Sequence, residues 1–418
     1  MSYFAVNGGT QLSGSVRVNG AKNSVLPILA ATILNAGENI IHNCTELRDV
    51  QSAVRILSHL GCGIKRQGKT LIVDSSTVSR CDVPEALMRE MRSSVIFLGP
   101  ILARCGQVRL STPGGCELGP RPIDLHLSAL KKLGAEVTLD GGEIICRAGS
   151  MRGRDIVLSF PSVGATENIM LAATACAGQT RIINAAREPE IEDLQQFLRT
   201  AGACISGGGK SEIVIEGGRS FGRVEHTVMP DRIEAATYLC AAAACRGHIE
   251  LNSVCPQHIA TVISILSDAG CDIKTAQNRV TIRSADRISA LPPVQTMPYP
   301  GFPTDAQSQL MAAACLAEGT TVFCENIFEN RFRQSGELVR MGARIKISGK
   351  TAIVDGVREL TGASVRCTDL RGGAALVIAA LAAKGESRIY DIEHIDRGYE
   401  KIERAYMSLG GNILRKEE

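Results

Sequence analysis

The stretch DVQSAVRILSHLGCGI, Asp49–Ile64, reads as an amphipathic helix stopped by a glycine and followed by a strand. Val50, Ala53, Ile56, Leu57 and Leu60 fall at helical spacing, and Gly61 stands where a helix end takes the left-handed conformation. The same marker returns as KKLGAEV, RTAGACI, SDAGCDI, VRMGARI and SLGGNIL, with its glycine at Gly134, Gly202, Gly270, Gly342 and Gly410. The successive spacings are 73, 68, 68, 72 and 68 residues. One structural unit is written six times.

Working outward from the marker, alternating strands follow it: TLIVDS, EIICRA, EIVIEG, RVTIRS and TAIVDG. Strands such as TRIINA, HIELNS, TVFCEN and SRIYDI precede it. Each copy begins with a helix that is apolar nearly all round, as in SVLPILAATIL, EAATYLCAAAA and GAALVIAALAA. Such a helix has to be buried on every side, whereas the amphipathic helix belongs outside. The expected fold is therefore α/β, an inside-out barrel with central helices and sheets around them, in two domains of three repeats. The boundaries fall at 21–229 for the first domain, and at 1–20 with 230–418 for the second. The short strand in GSVRVNG, Gly14–Gly20, precedes the first copy and is expected to pair within the far domain. The cleft between two such domains is the default place for a site.

Composition narrows the function. The 418 residues are 44% hydrophobic and 21% charged, as in an ordinary globular protein. A net charge of +3, no tryptophan and 4% aromatics speak against a nucleic-acid partner. No apolar run is long enough to span a bilayer, and MSYFAVNGGTQLSG is no signal peptide, so the expectation is a cytoplasmic protein without a membrane partner. Fifteen cysteines without a C-x-x-C pair fit neither a disulfide framework nor a zinc ribbon. Cys176, Cys240, Cys245 and Cys315 lie in apolar helical runs and read as core residues. No dinucleotide or Walker motif and no metal-ligand spacing is present, so neither cofactor nor metal is expected.

A repeat shows what folding does not require. From the glycine after the buried helix to the marker glycine, five copies span 23 to 25 residues; the second, Gly106–Gly134, spans 28. The excess is the loop STPGGCELGPRP, which sets Cys116 among glycines and prolines, with Arg121 five residues on and a helix start at PIDLH. A neighbouring arginine and a helix N-terminus both favour a thiolate. The plain alternative is a surface loop with an incidental thiol.

The turns into the buried helices carry the other polar residues: Lys22, Asn23, Arg92, Ser162, Asp231, Arg232, Asp305, Asp369 and Arg371. Helix N-termini bind anions. Ser162, Asp231, Asp305 and Asp369 are equally well read as N-caps. Lys22 and Arg92 oppose the dipole at that end and point to an anionic ligand. Arg397, in YDIEHIDRGYEKIE, is either a solvated loop charge or a ligand contact. His126 reads as a satisfied or surface imidazole, and Gly207–Gly209 as a hairpin turn.

Six motifs, NGAKNSVLPILAA, PGGCELGPRPIDLH, NAAREPEIEDL, FPTDAQSQ, ENIFENRF and HIDRGYEKIE, occur in this order along the whole chain. Together they resemble the UDP-N-acetylglucosamine 1-carboxyvinyltransferase family of enolpyruvyl transferases. The resemblance implies the two-domain inside-out fold and transfer of enolpyruvate from phosphoenolpyruvate to the 3-hydroxyl of UDP-N-acetylglucosamine, with loss of phosphate. That is the first committed step of peptidoglycan synthesis.

The resemblance also implies roles. Lys22, Arg121 and Arg397 would hold phosphoenolpyruvate, with Asn23 near the sugar and the reacting centre. Asp305 would be the base for the hydroxyl. Cys116 would protonate the methylene carbon; it would also form a covalent adduct with phosphoenolpyruvate and be open to the epoxide antibiotic fosfomycin. Arg121, Pro122, Ile123, Asp124 and Leu125 would bind the nucleotide sugar with Arg92, Ser162, Val163, Gly164 and Ile327. Phe160 stands where some members carry a lysine, which removes one contact on the uridine side.

The sibling 3-phosphoshikimate 1-carboxyvinyltransferases share architecture and chemistry but not the cysteine loop. RNA 3′-phosphate processing enzymes are built from related repeats, against which the weak charge and scarce aromatics speak. A non-catalytic repeat scaffold would have no use for Lys22, Cys116, Asp305 and Arg397 together.

Overall fold

The computed structural model describes residues 2–91, 93–111 and 123–417. The described chain divides into two compact units. One takes in residues 2–19 and 230–417; the other takes in the described residues of 20–229.

Among the described residues the strands form six separate four-stranded sheets, all of one pattern. In the sheet of the first repeat, Val224–Thr227 runs parallel to Glu38–His42, and Thr70–Asp74 and Gly63–Gln67 continue it antiparallel. The repeat supplies three of these strands. The fourth is the strand that enters its buried helix, and at two places that strand comes from elsewhere in the chain. Ser13–Arg17, just ahead of the first buried helix, belongs to the unit of residues 2–19 and 230–417 and pairs there with His248–Asn252 of the fourth repeat. This is the pairing expected for GSVRVNG. Val224–Thr227 takes the vacated place beside Glu38–His42.

The sixth sheet holds a pairing the sequence did not announce. Among the described residues its repeat supplies Ser364–Arg366, Glu386–Tyr390 and Asn412–Glu417, and the place between the last two is open. Ser2–Asn7 fills the place, antiparallel to both Glu386–Tyr390 and Asn412–Glu417. Two alternate apolar positions, Phe4 and Val6, are fully buried there.

The buried helices are Lys22–Ala31, Leu98–Cys105, Val163–Ala173, Arg232–Ala244, Thr304–Ala314 and Leu370–Ala382. All thirteen residues of Arg232–Ala244 are buried, which explains a sequence with no polar stripe. That helix packs on Thr304–Ala314 and Leu370–Ala382, and these two on each other. Alanine-rich faces allow this close approach. In the other unit Gly99 does the same: a Cβ there would lie 2.5 Å from the Asn168 carbonyl oxygen, and the Gly99 amide donates to the Asn168 side chain at 2.8 Å. Each unit has its own hydrophobic core, and the helices lie inside the sheets.

The outer helices Arg48–Leu60, Asp124–Leu133, Pro189–Ala201, Ala260–Asp268, Ser335–Arg340 and Ile402–Ser408 end near the six marker glycines. Every marker has positive φ; Gly61 has 103°. The Gly61 amide donates to the Ser58 carbonyl at 3.1 Å and the Cys62 amide to Leu57 at 3.0 Å. This Schellman closure satisfies carbonyls the helix leaves over.

Nine of the fourteen described cysteines are buried as small apolar residues. Those described are all free, and Cys176, Cys240 and Cys315 are fully buried. Burial pushes the Cys176 thiol up to about 11 and the Cys245 and Cys315 thiols to about 12. Gly207 and Gly209 take positive φ in the turn joining Cys204–Ser206 to Glu212–Glu216, the hairpin expected there.

Candidate functional site

Four residues at buried-helix starts read equally well as N-caps, and the structure shows which of them cap. Asp231 accepts from the amides of Ile233 and Glu234 at 2.8 and 3.0 Å. Asp369 accepts from Arg371 and Gly372 at 2.9 and 3.0 Å. Ser162 accepts more weakly, from Ala165 at 3.4 Å. These three are N-caps. Asp305 is not; its helix has no side-chain cap.

The Asp305 carboxylate instead lies between two arginines. Oδ1 accepts from Arg331 at 2.7 Å and Oδ2 from Arg371 at 3.0 Å. Both guanidinium groups are almost wholly enclosed, while the Asp305 side chain keeps 27% exposure. The one partly open group in the cluster is thus the carboxylate. Burial by itself would lower the Arg371 pKa, but Asp305, Tyr399 and Asp231 outweigh it and raise it. Arg371 also donates to the Tyr399 hydroxyl at 3.2 Å, and that hydroxyl meets Thr237 at 2.8 Å and Gln309 at 3.0 Å. Tyr399 stands two residues after Arg397, which is half-buried at the end of the 3-10 helix Ile392–Arg397.

Ile327 is half-buried in the turn after Thr320–Cys324. Its amide donates to Glu325 Oε1 at 2.8 Å, and Glu325 Oε2 accepts from the Thr304 hydroxyl at 3.0 Å. The unit therefore joins two expected site residues, Asp305 and Ile327, through a carboxylate that sequence reading passed over. Arg331 was passed over as well. Its only signal was its place within ENIFENRF.

In the other unit, Lys22 opens its helix and is buried, with Nζ 2.8 Å from Asp49 Oδ2. Asp49 is 1% exposed. The anion that Lys22 called for is thus supplied at least once by the chain itself. Asn23 follows in the first turn. Ser24 donates to Asp193, which also accepts from the Met229 amide at 3.1 Å and faces His226 Nε2 at 2.9 Å. The start of this helix is thereby held on the outer helix Pro189–Ala201.

Val163 and Gly164 form the half-buried first turn of Val163–Ala173. Ile123, Asp124 and Leu125 lie at the start of Asp124–Leu133, with Asp124 exposed. His126 is the satisfied imidazole expected, its Nδ1 2.8 Å from the Asn168 amide. Phe160 is exposed, at 44%. Arg92, Cys116, Arg121 and Pro122 lie outside the described residues. Among the described residues, no group of three or more His, Cys, Asp or Glu is placed to hold a metal ion, and no helix is long and apolar enough to cross a membrane.

Residues 6–405 match the family described as EPSP synthase (3-phosphoshikimate 1-carboxyvinyltransferase). A protein of Caldanaerobacter subterraneus subsp. tengcongensis named UDP-N-acetylglucosamine 1-carboxyvinyltransferase 2 is 51% identical, over 99% of this chain and all of that one. The chain belongs to the enolpyruvyl transferase family. A further relative of this enolpyruvyl transferase, UDP-N-acetylglucosamine 1-carboxyvinyltransferase 1 of Symbiobacterium thermophilum, is 49% identical over 99% of this chain and 95% of its own. The crystal structure of the enolpyruvyl transferase NikO from Streptomyces tendae superposes with a TM-score of 0.87 at 26% identity, covering 99% of both chains. An EPSP synthase from Acinetobacter baumannii, 17% identical with a TM-score of 0.75 over the whole of both chains, shares the fold.

Proposed function

We propose that this enolpyruvyl transferase moves the enolpyruvyl group of phosphoenolpyruvate to the 3-hydroxyl of UDP-N-acetylglucosamine and releases phosphate, in the cytoplasm and as the first committed step of peptidoglycan synthesis. The observation that carries the reading is the 51% identity, from end to end, with a relative of that name. No cofactor is called for, because both substrates are polyanions that lysine and arginine can neutralise.

In this reading Lys22, Arg121 and Arg397 hold phosphoenolpyruvate, with Asn23 beside the reacting centre. The nucleotide sugar is bound by Arg92, Arg121, Pro122, Ile123, Asp124, Leu125, Ser162, Val163, Gly164 and Ile327. Asp305 accepts the proton of the 3-hydroxyl while its oxygen attacks C2 of phosphoenolpyruvate. The electron pair of the double bond takes a proton from the Cys116 thiol, and the methylene becomes a methyl. Loss of phosphate from C2 and of a proton from the methyl then restores the double bond as the enol ether. The Cys116 sulfur can add to C2 itself, which gives the covalent adduct, and as a thiolate it would open the epoxide of fosfomycin.

The pairing around Asp305 supports its part. A carboxylate that caps a helix has its lone pairs committed to amides. Asp305 instead turns its oxygens to two guanidinium groups and keeps a partly open face, by which a hydroxyl can approach it. Such a base typically contributes about 10²–10⁴-fold.

The sibling reaction, with shikimate 3-phosphate as acceptor, is the second reading, favoured by the description of the matching family and opposed by the Cys116 loop. Phosphate release from phosphoenolpyruvate decides between them. It should depend on UDP-N-acetylglucosamine; dependence on shikimate 3-phosphate would overturn the assignment.

A further inference from the structure

Glu325 is 2% exposed. Its Oε1 accepts from the Thr296 hydroxyl at 2.9 Å, the Ile327 amide at 2.8 Å and the Phe328 amide at 3.0 Å. Its Oε2 accepts from the Thr304 hydroxyl at 3.0 Å. All four donors are neutral. Burying a carboxylate is costly, and for one turn alone a neutral acceptor would serve. A charged acceptor forms shorter and stronger hydrogen bonds, which matters where several pieces of chain must keep one geometry.

The partners show which pieces these are. Thr304 precedes Asp305, and its carbonyl accepts from Arg331 Nε and Nη2 at 3.2 and 3.0 Å. Arg331 reaches on to Asp305 Oδ1. The Thr296 hydroxyl, which donates to Glu325, accepts from the Asn326 amide at 2.9 Å. The bonds close a ring: Glu325 to Thr304, the peptide to Asp305, Asp305 to Arg331, and the chain from Arg331 back through Phe328 and Ile327.

We propose that Glu325 is a positioning residue for the acceptor sugar, locking the Asp305 base and the Ile327 turn into one piece. This rests on the function proposed above. A base displaced by about 1 Å loses on the order of 10²-fold in rate, so a tie from the base to a turn that contacts the nucleotide sugar aligns hydroxyl and carboxylate together.

The test uses isosteric changes in the full chain. Glu325→Gln keeps an amide oxygen for the three Oε1 donors and turns an NH₂ toward Thr304. The Thr304 hydroxyl can accept from that NH₂, so Glu325→Gln removes the charge from the link, whereas Thr304→Val removes the link itself and Thr304→Ser restores it. Glu325→Gln and Thr304→Val should each raise KM for UDP-N-acetylglucosamine about tenfold and lower kcat severalfold, leaving KM for phosphoenolpyruvate within about twofold. The double variant should be little worse than either single one. Thr304→Ser should stay near the unaltered protein. Equal rises in both KM values, or a fall in melting temperature with unchanged kinetics, would reduce Glu325 to a structural residue, and normal kinetics in Thr304→Val would remove the link. If the unaltered protein fails to use UDP-N-acetylglucosamine at all, the reading of function falls instead.

Discussion

Aspartate to asparagine at three helix starts should give two different outcomes. At Asp369 and Asp231 the side chain caps and asparagine caps about as well as aspartate, so what is lost is charge: near the helix dipole at both, and at Asp231 also a favourable term with Arg371 that is offset by relief of the repulsion from Glu234. Each change should cost within about 1 kcal/mol. At Asp305 the replacement keeps one acceptor oxygen and turns an NH₂ toward the other guanidinium. Breaking a buried ion pair from one side costs about 3–5 kcal/mol. Here the carboxylate is 27% exposed and Arg371 keeps its bond to Tyr399, so we expect about 2–3 kcal/mol. For a unit of this size that is a fall of roughly 5–10 °C in melting temperature. Differential scanning calorimetry of the three variants reads this directly, and phosphate release should fall by about 10²-fold or more in Asp305→Asn. If Asp305→Asn melts with Asp369→Asn and turns over near normally, the two-arginine clamp carries neither stability nor chemistry.

Three further outcomes follow from other residues. Cys116→Asp should keep measurable turnover with an optimum at lower pH, since aspartate starts near 3.9, and should resist fosfomycin; Cys116→Ser should lose most turnover, and equal rates for serine and wild type would make the thiol incidental. Burial first, then Asp231, raises Glu234 to about 7. A carboxyl whose folded value is raised lends stability that is full below its unfolded value of about 4.3 and lost as pH rises through 7. Chemical denaturation from pH 4 to 8 should show that slope, and Glu234→Gln should flatten it. Gly270→Ala meets no atom within 4 Å and should cost only the left-handed backbone, about 1 kcal/mol, whereas Gly61→Ala also drives a Cβ to 2.7 Å from the Thr77 carbonyl and should cost more in urea titrations.

The repeat was legible because it is local. Helical spacing, a closing glycine and alternating strands are written within some seventy residues, and every marker glycine took the backbone expected of it. The pairing of Ser13–Arg17 was legible too, since a strand stranded ahead of a repeat needs a partner. Ser2–Asn7 was not, because the sign of its role is a strand missing at the far end of the chain. At the site, the question of cap or clamp could not be settled from Asp305 alone. The residues that decide it, Arg331 and Arg371, stand 26 and 66 positions away. Glu325 looked like any acid at the end of a strand, and only its four donors distinguish it.

The strand Ser2–Asn7 has a consequence for how the protein is made. It leaves the ribosome nearly four hundred residues before its two neighbours, Glu386–Tyr390 and Asn412–Glu417. At roughly 5–20 residues per second the wait is on the order of a minute. The unit of residues 20–229 has no such debt: once Val224–Thr227 emerges, every strand of its sheets is present. The order of folding on the ribosome is thus built into the topology, the middle of the chain first and the two ends together. Until then Tyr3, Phe4 and Val6 stay in solvent, a short apolar strand with open edges that a chaperone would recognise. A nascent chain stalled before residue 386 should hold one finished unit and one that cannot close.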